Sequence, residues 1–133
     1  MAIVVDTNVI SFFQKRDTRD QLYADILNGE EKLISFMTWA ELLRWPVERS
    51  WSSSRRTAFF GSIRESSGIV HSDDRLCQIW ADILSNARKT GRTIATADAW
   101  IGAVAVMFDI PLVTHNSKHF ENIPNIRILS NEE

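Results

Sequence analysis

The chain alternates short apolar runs with longer stretches whose apolar residues recur every three or four positions. Ile3-Val4-Val5 is continuous, β-branched and bounded, as expected of a strand buried on both faces. Val9, Phe12 and Phe13 then recur at helical spacing, and a second helix is predicted from about Arg19 to Leu27, closing at Asn28-Gly29. Leu33-Ile34 predicts the next strand. Thr38-Trp39-Ala40-Glu41 has capping-box spacing, a hydroxyl and a carboxylate placed to satisfy free backbone amides, so a helix is expected to open there. Pro46 is expected to interrupt or end it. Ser50 and Ser52 to Ser54 mark a loop, followed by an amphipathic segment from Arg55 to Arg64 and a third strand at Ile69-Val70. Asp73 or Asp74 then caps a long helix whose apolar face is Leu76, Ile79, Trp80, Ile83 and Leu84, ending at Gly91. Thr96-Ala97-Asp98 opens another helix, carried by Ile101, Ala103, Val104, Ala105 and Phe108. Pro111 to Thr114 and Ile126 to Leu129 read as the last two strands.

Strands alternating with helices imply parallel crossovers, hence an α/β class with a three-layer α/β/α architecture around a central parallel sheet. At 133 residues the chain fits one domain, expected to span residues 1–133. In such sheets chemistry is built outside the carboxyl ends of the strands. Asp6, directly after the first strand, stands there.

Composition narrows the function classes. A net charge of −2 argues against coating nucleic acid by bulk attraction, yet the charge is unevenly spread. Residues 1–40 hold four Lys/Arg against six Asp/Glu, whereas residues 41–67 hold five Arg against three Glu. A single cysteine, Cys77, permits no internal disulfide; within its helical pattern it is expected to be a buried small side chain. No segment approaches the ~20 apolar residues needed to cross a bilayer, and no basic leader precedes an apolar stretch at Met1, so a cytoplasmic protein is expected.

Two further acids share the setting of Asp6. Glu41 and Asp98 each stand near the start of a helix among apolar neighbours, Ala40 and Leu42 around the first, Ala97 and Ala99-Trp100-Ile101 around the second. Each has a plain structural reading: Asp6 as a helix cap, Glu41 as the capping-box partner of Thr38, Asp98 as a cap after Thr96. Three such acids on buried elements are harder to explain that way, because a buried carboxylate is costly unless paired or bound to a cation. No Lys or Arg flanks any of them, which leaves a metal as the natural partner. Oxygen ligands with few histidines favour Mg²⁺ or Mn²⁺ over Zn²⁺, and acids holding such an ion suggest phosphate chemistry.

"VVDTNVI", "SFMTWAELL", "GRTIATADAWIGAVAV" and "PLVTHNSKHFENIPNIRIL", in that order across nearly the whole chain, resemble a PIN-domain ribonuclease, in particular the VapC-type toxins of toxin–antitoxin pairs. The resemblance implies Mg²⁺-dependent cleavage of RNA, with Asp6, Asp98 and Glu41 as metal ligands and acidic catalytic residues. It also implies supporting hydrogen bonds from Thr7, Asn8 and Thr114, a VapB-like antitoxin as partner, and a homodimer. At the fourth acidic position of many PIN domains this chain has Asn116, which offers an oxygen but no charge, so one resident ion is easier to support than two. His119 is read as a helix-start or structural residue ahead of a general acid.

Arg44, Arg49, Arg55 and Arg56, after Glu41, and Arg88, Lys89 and Arg92, before Asp98, are candidates, and part of this set is expected to contact phosphates and guide RNA to an acidic site. Trp80 and Trp100 are expected in the core. Trp39, Trp45 and Trp51 either fill the core beneath the Arg-rich segment or form a partner groove. Two other classes compete with the nuclease: a catalytically weak PIN-like binding module, favoured by Asn116, and an aspartyl-phosphate phosphatase, disfavoured because Asn8 stands where a second acid is required.

Overall fold

Five strands, β1 (Ala2–Val5), β2 (Glu31–Ser35), β3 (Gly68–Val70), β4 (Leu112–Val113) and β5 (Ile128–Leu129), form one sheet ordered β3-β2-β1-β4-β5 in the computed structural model, which describes residues 1–132. Every pairing is parallel. Six α-helices connect the strands: α1 (Thr7–Gln14), α2 (Gln21–Leu27), α3 (Phe36–Glu48), α4 (Ser53–Ser66), α5 (Asp74–Lys89) and α6 (Thr96–Phe108).

The central strand explains the layering. Successive side chains of a strand point to opposite faces. In β1, Ile3 and Val5 enter one core with Val9 and Phe12 of α1, Tyr23 of α2, Leu42 of α3 and Phe59 of α4. Val4 enters the other core with Leu76 of α5, Ile101 and Val104 of α6, and Leu112 of β4. Both faces are therefore covered by helices, which is why β1 carries no polar alternation. The three-layer α/β/α architecture with a central parallel sheet is as the pattern predicts.

Four local expectations need correction. The third helix opens at Phe36 rather than Thr38, because Ser35, the last residue of β2, caps it by accepting a hydrogen bond from the Met37 amide at 3.0 Å. Thr38 is instead fully buried inside the helix. Pro46 does not end α3: the helix runs on to Glu48, its last turn held by the Arg49 amide on the Trp45 carbonyl and the Trp51 amide on the Pro46 carbonyl, each at 3.0 Å. Asp98 does not cap α6; the cap is Ala95, and Asp98 lies within the first turn with its side chain free for other partners. Cys77 is exposed, because the buried stripe of α5 runs through Leu76, Ile83 and Ala87, and the next position after Leu76 is turned by roughly 100° toward water.

Asp73 caps α5 by accepting from the Leu76 amide at 2.8 Å, and Gly91, at φ 73°, follows the end of that helix. No helix among the described residues is long and apolar enough to cross a membrane.

The adjacent leucines on α3 give a direct test of this packing. Leu42 is fully buried and Leu43 is 38% exposed. Leu42→Ala should lower unfolding free energy by about 2–5 kcal/mol in a denaturant titration. Leu43→Ala should change it by less than about 0.5 kcal/mol.

Candidate active site

Along this sheet the chain proceeds from β1 outward to β2 and β3, then crosses to the other side of β1 for β4 and β5. That reversal opens a crevice beyond the carboxyl ends of β1 and β4, where neighbouring connections diverge. Asp6 follows β1 and Thr114 follows β4. The Asp6 amide donates to the Val113 carbonyl at 2.9 Å, so the residue is still registered against β4 as its side chain enters the crevice.

The Asp6 carboxylate is held at both oxygens. Oδ1 accepts from the Thr7 amide at 2.7 Å, the cap of α1, and Oδ2 accepts from the Thr114 hydroxyl at 2.7 Å. Capping and site-building thus coexist in one side chain. Thr114 Oγ1 in turn accepts from the Asn116 amide at 3.0 Å, which orients its own proton toward Asp6. The Thr7 hydroxyl donates to that of Thr38 at 3.0 Å, tying α1 to α3 one turn before Glu41. Asn8 Oδ1 accepts from the His115 amide at 3.4 Å, linking α1 to the segment after β4.

These contacts surround a cavity of about 350 Å³ walled by four parts of the chain. Asp6, Thr7, Asn8 and Ser11 come from the β1–α1 junction, Glu41 and Trp45 from α3, Asp98 and Ile101 from α6, and Asn116 and His119 from the segment after β4. All three predicted acids therefore face one cavity, with Asn116 beside them. A larger hollow of about 640 Å³ lies between α1, α2 and α4, but Asp25 is the one acid in its wall, and it offers no comparable constellation.

Electrostatics sets this cavity apart. Asp6 is only 6% exposed, and burial pushes its pKa from the ordinary 3.8 up to about 6, against the opposing hydrogen bonds from Thr114 and Thr7 and with added repulsion from Asp98. Glu41 is raised by burial and then by the charges of Asp6 and Asp98, while Arg44 opposes. Asp98 is raised by burial, opposed by His119, whose Nδ1 stands 3.3 Å from Asp98 Oδ2. No lysine or arginine lines the cavity. Three carboxylates with one imidazole as counter-group are a donor set of hard oxygens, the chemistry that suits a small divalent cation. Among the described residues no three His, Cys, Asp or Glu side chains already stand as an assembled metal cluster. The acids thus share a cavity without closing on a common point.

The predicted phosphate contacts do not line this cavity. Arg44 pairs with Glu48 at 2.9 Å, Arg55 lies 3.8 Å above the Trp51 ring, Arg56 donates to the Trp51 carbonyl at 3.0 Å, and Arg92 bonds the Asn122 side chain. Two cations stand at its edge through Trp45: Arg49, itself among the predicted contacts, and Lys15, which was not, lie 5.3 and 5.9 Å from the centre of that ring. The position of Trp45 was legible, because it lies four residues after Glu41 and so on the same helix face. Lys15 carries no sequence signal, since it reaches Trp45 only through the packing of α1 on α3. Trp39, Trp45 and Trp51 pack on the core beneath the Arg-rich segment, with Arg64 4.7 Å over Trp39. Trp80 and Trp100 stack face to face at 4.7 Å and are only partly buried.

A family model described as "PIN domain" matches residues 3–126. The chain belongs to the PIN-domain family. Among relatives of this PIN-domain protein is "Ribonuclease VapC1" of Methanocaldococcus jannaschii, 31% identical over 122 residues, 91% of this chain and 80% of that one. "Ribonuclease VapC1" of Haemophilus influenzae strain R2866 is 26% identical over 132 residues, 96% of each chain. The fold matches VapBC-1 from nontypeable Haemophilus influenzae with a TM-score of 0.84, covering 98% of both chains at 24% identity. FitAcB from Neisseria gonorrhoeae matches with a TM-score of 0.76, covering 96% of both at 26% identity.

The raised pKa of Asp6 has a signed consequence for stability. Its folded value, about 6, exceeds the ordinary 3.8, so its contribution is fully favourable below about pH 4 and is lost as pH rises through 6. Asp6→Asn should therefore stabilise the metal-free protein at pH 8, by up to about 3 kcal/mol. At pH 4 the gain should vanish. Paired thermal melts of the two proteins across this range check both halves.

Proposed function

We propose that this PIN-domain protein is a divalent-metal-dependent endoribonuclease and the toxin of a toxin–antitoxin pair. The observation that carries the reading is the meeting of Asp6, Glu41 and Asp98, from three separate segments, in one cation-poor cavity at the β1–β4 crevice. The VapC ribonucleases among its relatives supply the substrate class.

Asp6, Asp98 and Glu41 would hold the ion, Mg²⁺ or alternatively Mn²⁺, directly or through its water. The ion would make a bound water easier to deprotonate and would neutralise charge on the phosphoryl oxygens. The chain's own residues divide the remaining work. Asp6 is fixed at both oxygens by Thr7 and Thr114, so its remaining lone pairs keep a constant direction. Burial raises the pKa of both Glu41 and Asp98 above the ordinary carboxylate value, which makes either a better acceptor for a proton from an attacking water. Asn116 adds a neutral oxygen, keeping the charge of the site to three carboxylates. Hydrolysis by water attack leaves a 5′-phosphate and a 3′-hydroxyl and needs no RNA 2′-hydroxyl.

The same reading makes residues 1–133 one nuclease unit in the cytoplasm, working as a homodimer and restrained by a VapB-like antitoxin. The solved relatives titled VapBC and FitAcB support that partnership. One observation favours a weaker catalyst acting through its protein partner: Asn116 lines the cavity where an acid is common. A phosphatase is not favoured, because Asn8 spends its side-chain oxygen on the His115 amide.

Asp98→Asn and Glu41→Gln should each lower RNA cleavage by at least about 100-fold with the fold intact by circular dichroism. Chelation of the wild type should stop cleavage, and added Mg²⁺ should restore it. Cleavage that survives both chelation and Asp98→Asn would leave the binding module as the better reading. Thr114→Val should weaken metal affinity by about 10- to 100-fold in a Mn²⁺ titration, while Thr114→Ser should retain it.

A further inference from the structure

An acidic cavity repels a polyanion, so a nuclease built on it needs groups at its edge that grip RNA without entering the metal site. Trp45 is the one indole in the cavity wall, and the other ring there, His119, is held on Asp98 at 3.3 Å. It lies one helical turn beyond Glu41, is partly buried, and is braced by Phe59, whose ring is 6.5 Å away and nearly parallel at 23°. Lys15 and Arg49, from α1 and from the end of α3, approach the same indole at 5.9 and 5.3 Å. Both are exposed, and neither forms an ion pair among the described residues, whereas Arg19, Arg44 and Arg127 are each paired with a carboxylate. Resting on an indole is a weak use of an exposed cation, worth about 0.5–1 kcal/mol. A phosphate would compete for it readily.

We propose that Trp45, Lys15 and Arg49 form a base-and-phosphate subsite at the rim of the acidic cavity. A nucleobase beside the scissile phosphate stacks on the Trp45 indole, and the two cations move from the ring to the flanking phosphates. The subsite rests on the ribonuclease reading and adds to it the residues that position the strand. Stacking is indifferent to hydrogen-bond pattern, since every base has a π-face, so Trp45 sets where the strand lies more than which base it presents. It also requires an unstacked base. The three belong together by placement, since Lys15 and Arg49 meet on the one tryptophan that lines the cavity, whereas Arg55 rests on Trp51 away from it and Arg44, Arg56 and Arg92 are bonded elsewhere.

The test uses the full chain carrying Asp6→Asn, which permits equilibrium binding without turnover. The probes are a short fluorescent single-stranded RNA of mixed sequence and the same sugar–phosphate chain made abasic throughout. Trp45→Leu, which keeps apolar bulk against Phe59, should weaken binding of the intact RNA by about 10-fold or more and leave the abasic chain within about two-fold. Trp45→Phe should recover part of the loss. Lys15→Ala and Arg49→Ala should weaken both probes alike and each lower the salt dependence of binding by about one phosphate contact. Equal losses on both probes for Trp45→Leu, or none, would overturn the subsite. Unchanged RNA affinity with lost binding of a protein partner would assign the rim to that partner and also overturn it. If the parent binds neither probe and the wild type cuts no RNA, the ribonuclease reading itself fails.

Discussion

The structure turns on a carboxylate that is buried and yet not neutralised. Asp6 must leave water because it directly follows the central strand of a sheet covered on both faces, and its two oxygens are held by an amide of α1 and a hydroxyl of β4's extension. Those hydrogen bonds make the burial tolerable without removing its cost, which is why the pKa still climbs to about 6. Two more acids in the same cavity add to the strain rather than relieving it. A fold optimised only for stability would place an asparagine or a paired base here. Local electrostatic strain of this kind is characteristic of sites kept for chemistry.

Supporting contacts explain how such strain is held in place. Thr7 bonds Thr38, Asn8 bonds the His115 amide, and Thr114 takes a bond from Asn116 while giving one to Asp6. Each of these joins two elements that contribute an acid or a neighbour of one. The cavity is therefore shaped by side chains whose partners lie across the sheet crevice, not by a flexible loop. Outside it, positive charge lies on aromatic rings of α3 and of the segment joining it to α4, so the negative interior and positive surroundings are segregated within a short distance.

Much of this was legible in the sequence, for physical reasons that can be named. Ile3-Val4-Val5 announces a doubly buried strand, and an acid after such a strand falls at the crevice whatever the details. Glu41 and Asp98 stood out because apolar neighbours make an unpaired acid expensive. The local misreadings have two causes: some turn on neighbours a few residues away that the pattern did not weigh, others on contacts between distant segments. Ser35 takes the cap assigned to Thr38 because β2 passes into α3 without a loop, which frees Thr38 to reach Thr7. His119 meets Asp98 through a short 3-10 turn after β4, a pairing that local spacing does not encode. A count of arginines likewise does not reveal which are spent, although the Arg44–Glu48 pair has the four-residue spacing of a helical ion pair.

The claim on which the rest depends is that Asp6, Glu41 and Asp98 share one divalent cation. Anomalous diffraction from crystals grown with Mn²⁺ tests it most directly. A single strong anomalous peak inside the cavity, bounded by those carboxylates, is the expected result. Clear density for the three side chains with no peak among them, at Mn²⁺ concentrations that support RNA cleavage, would contradict it.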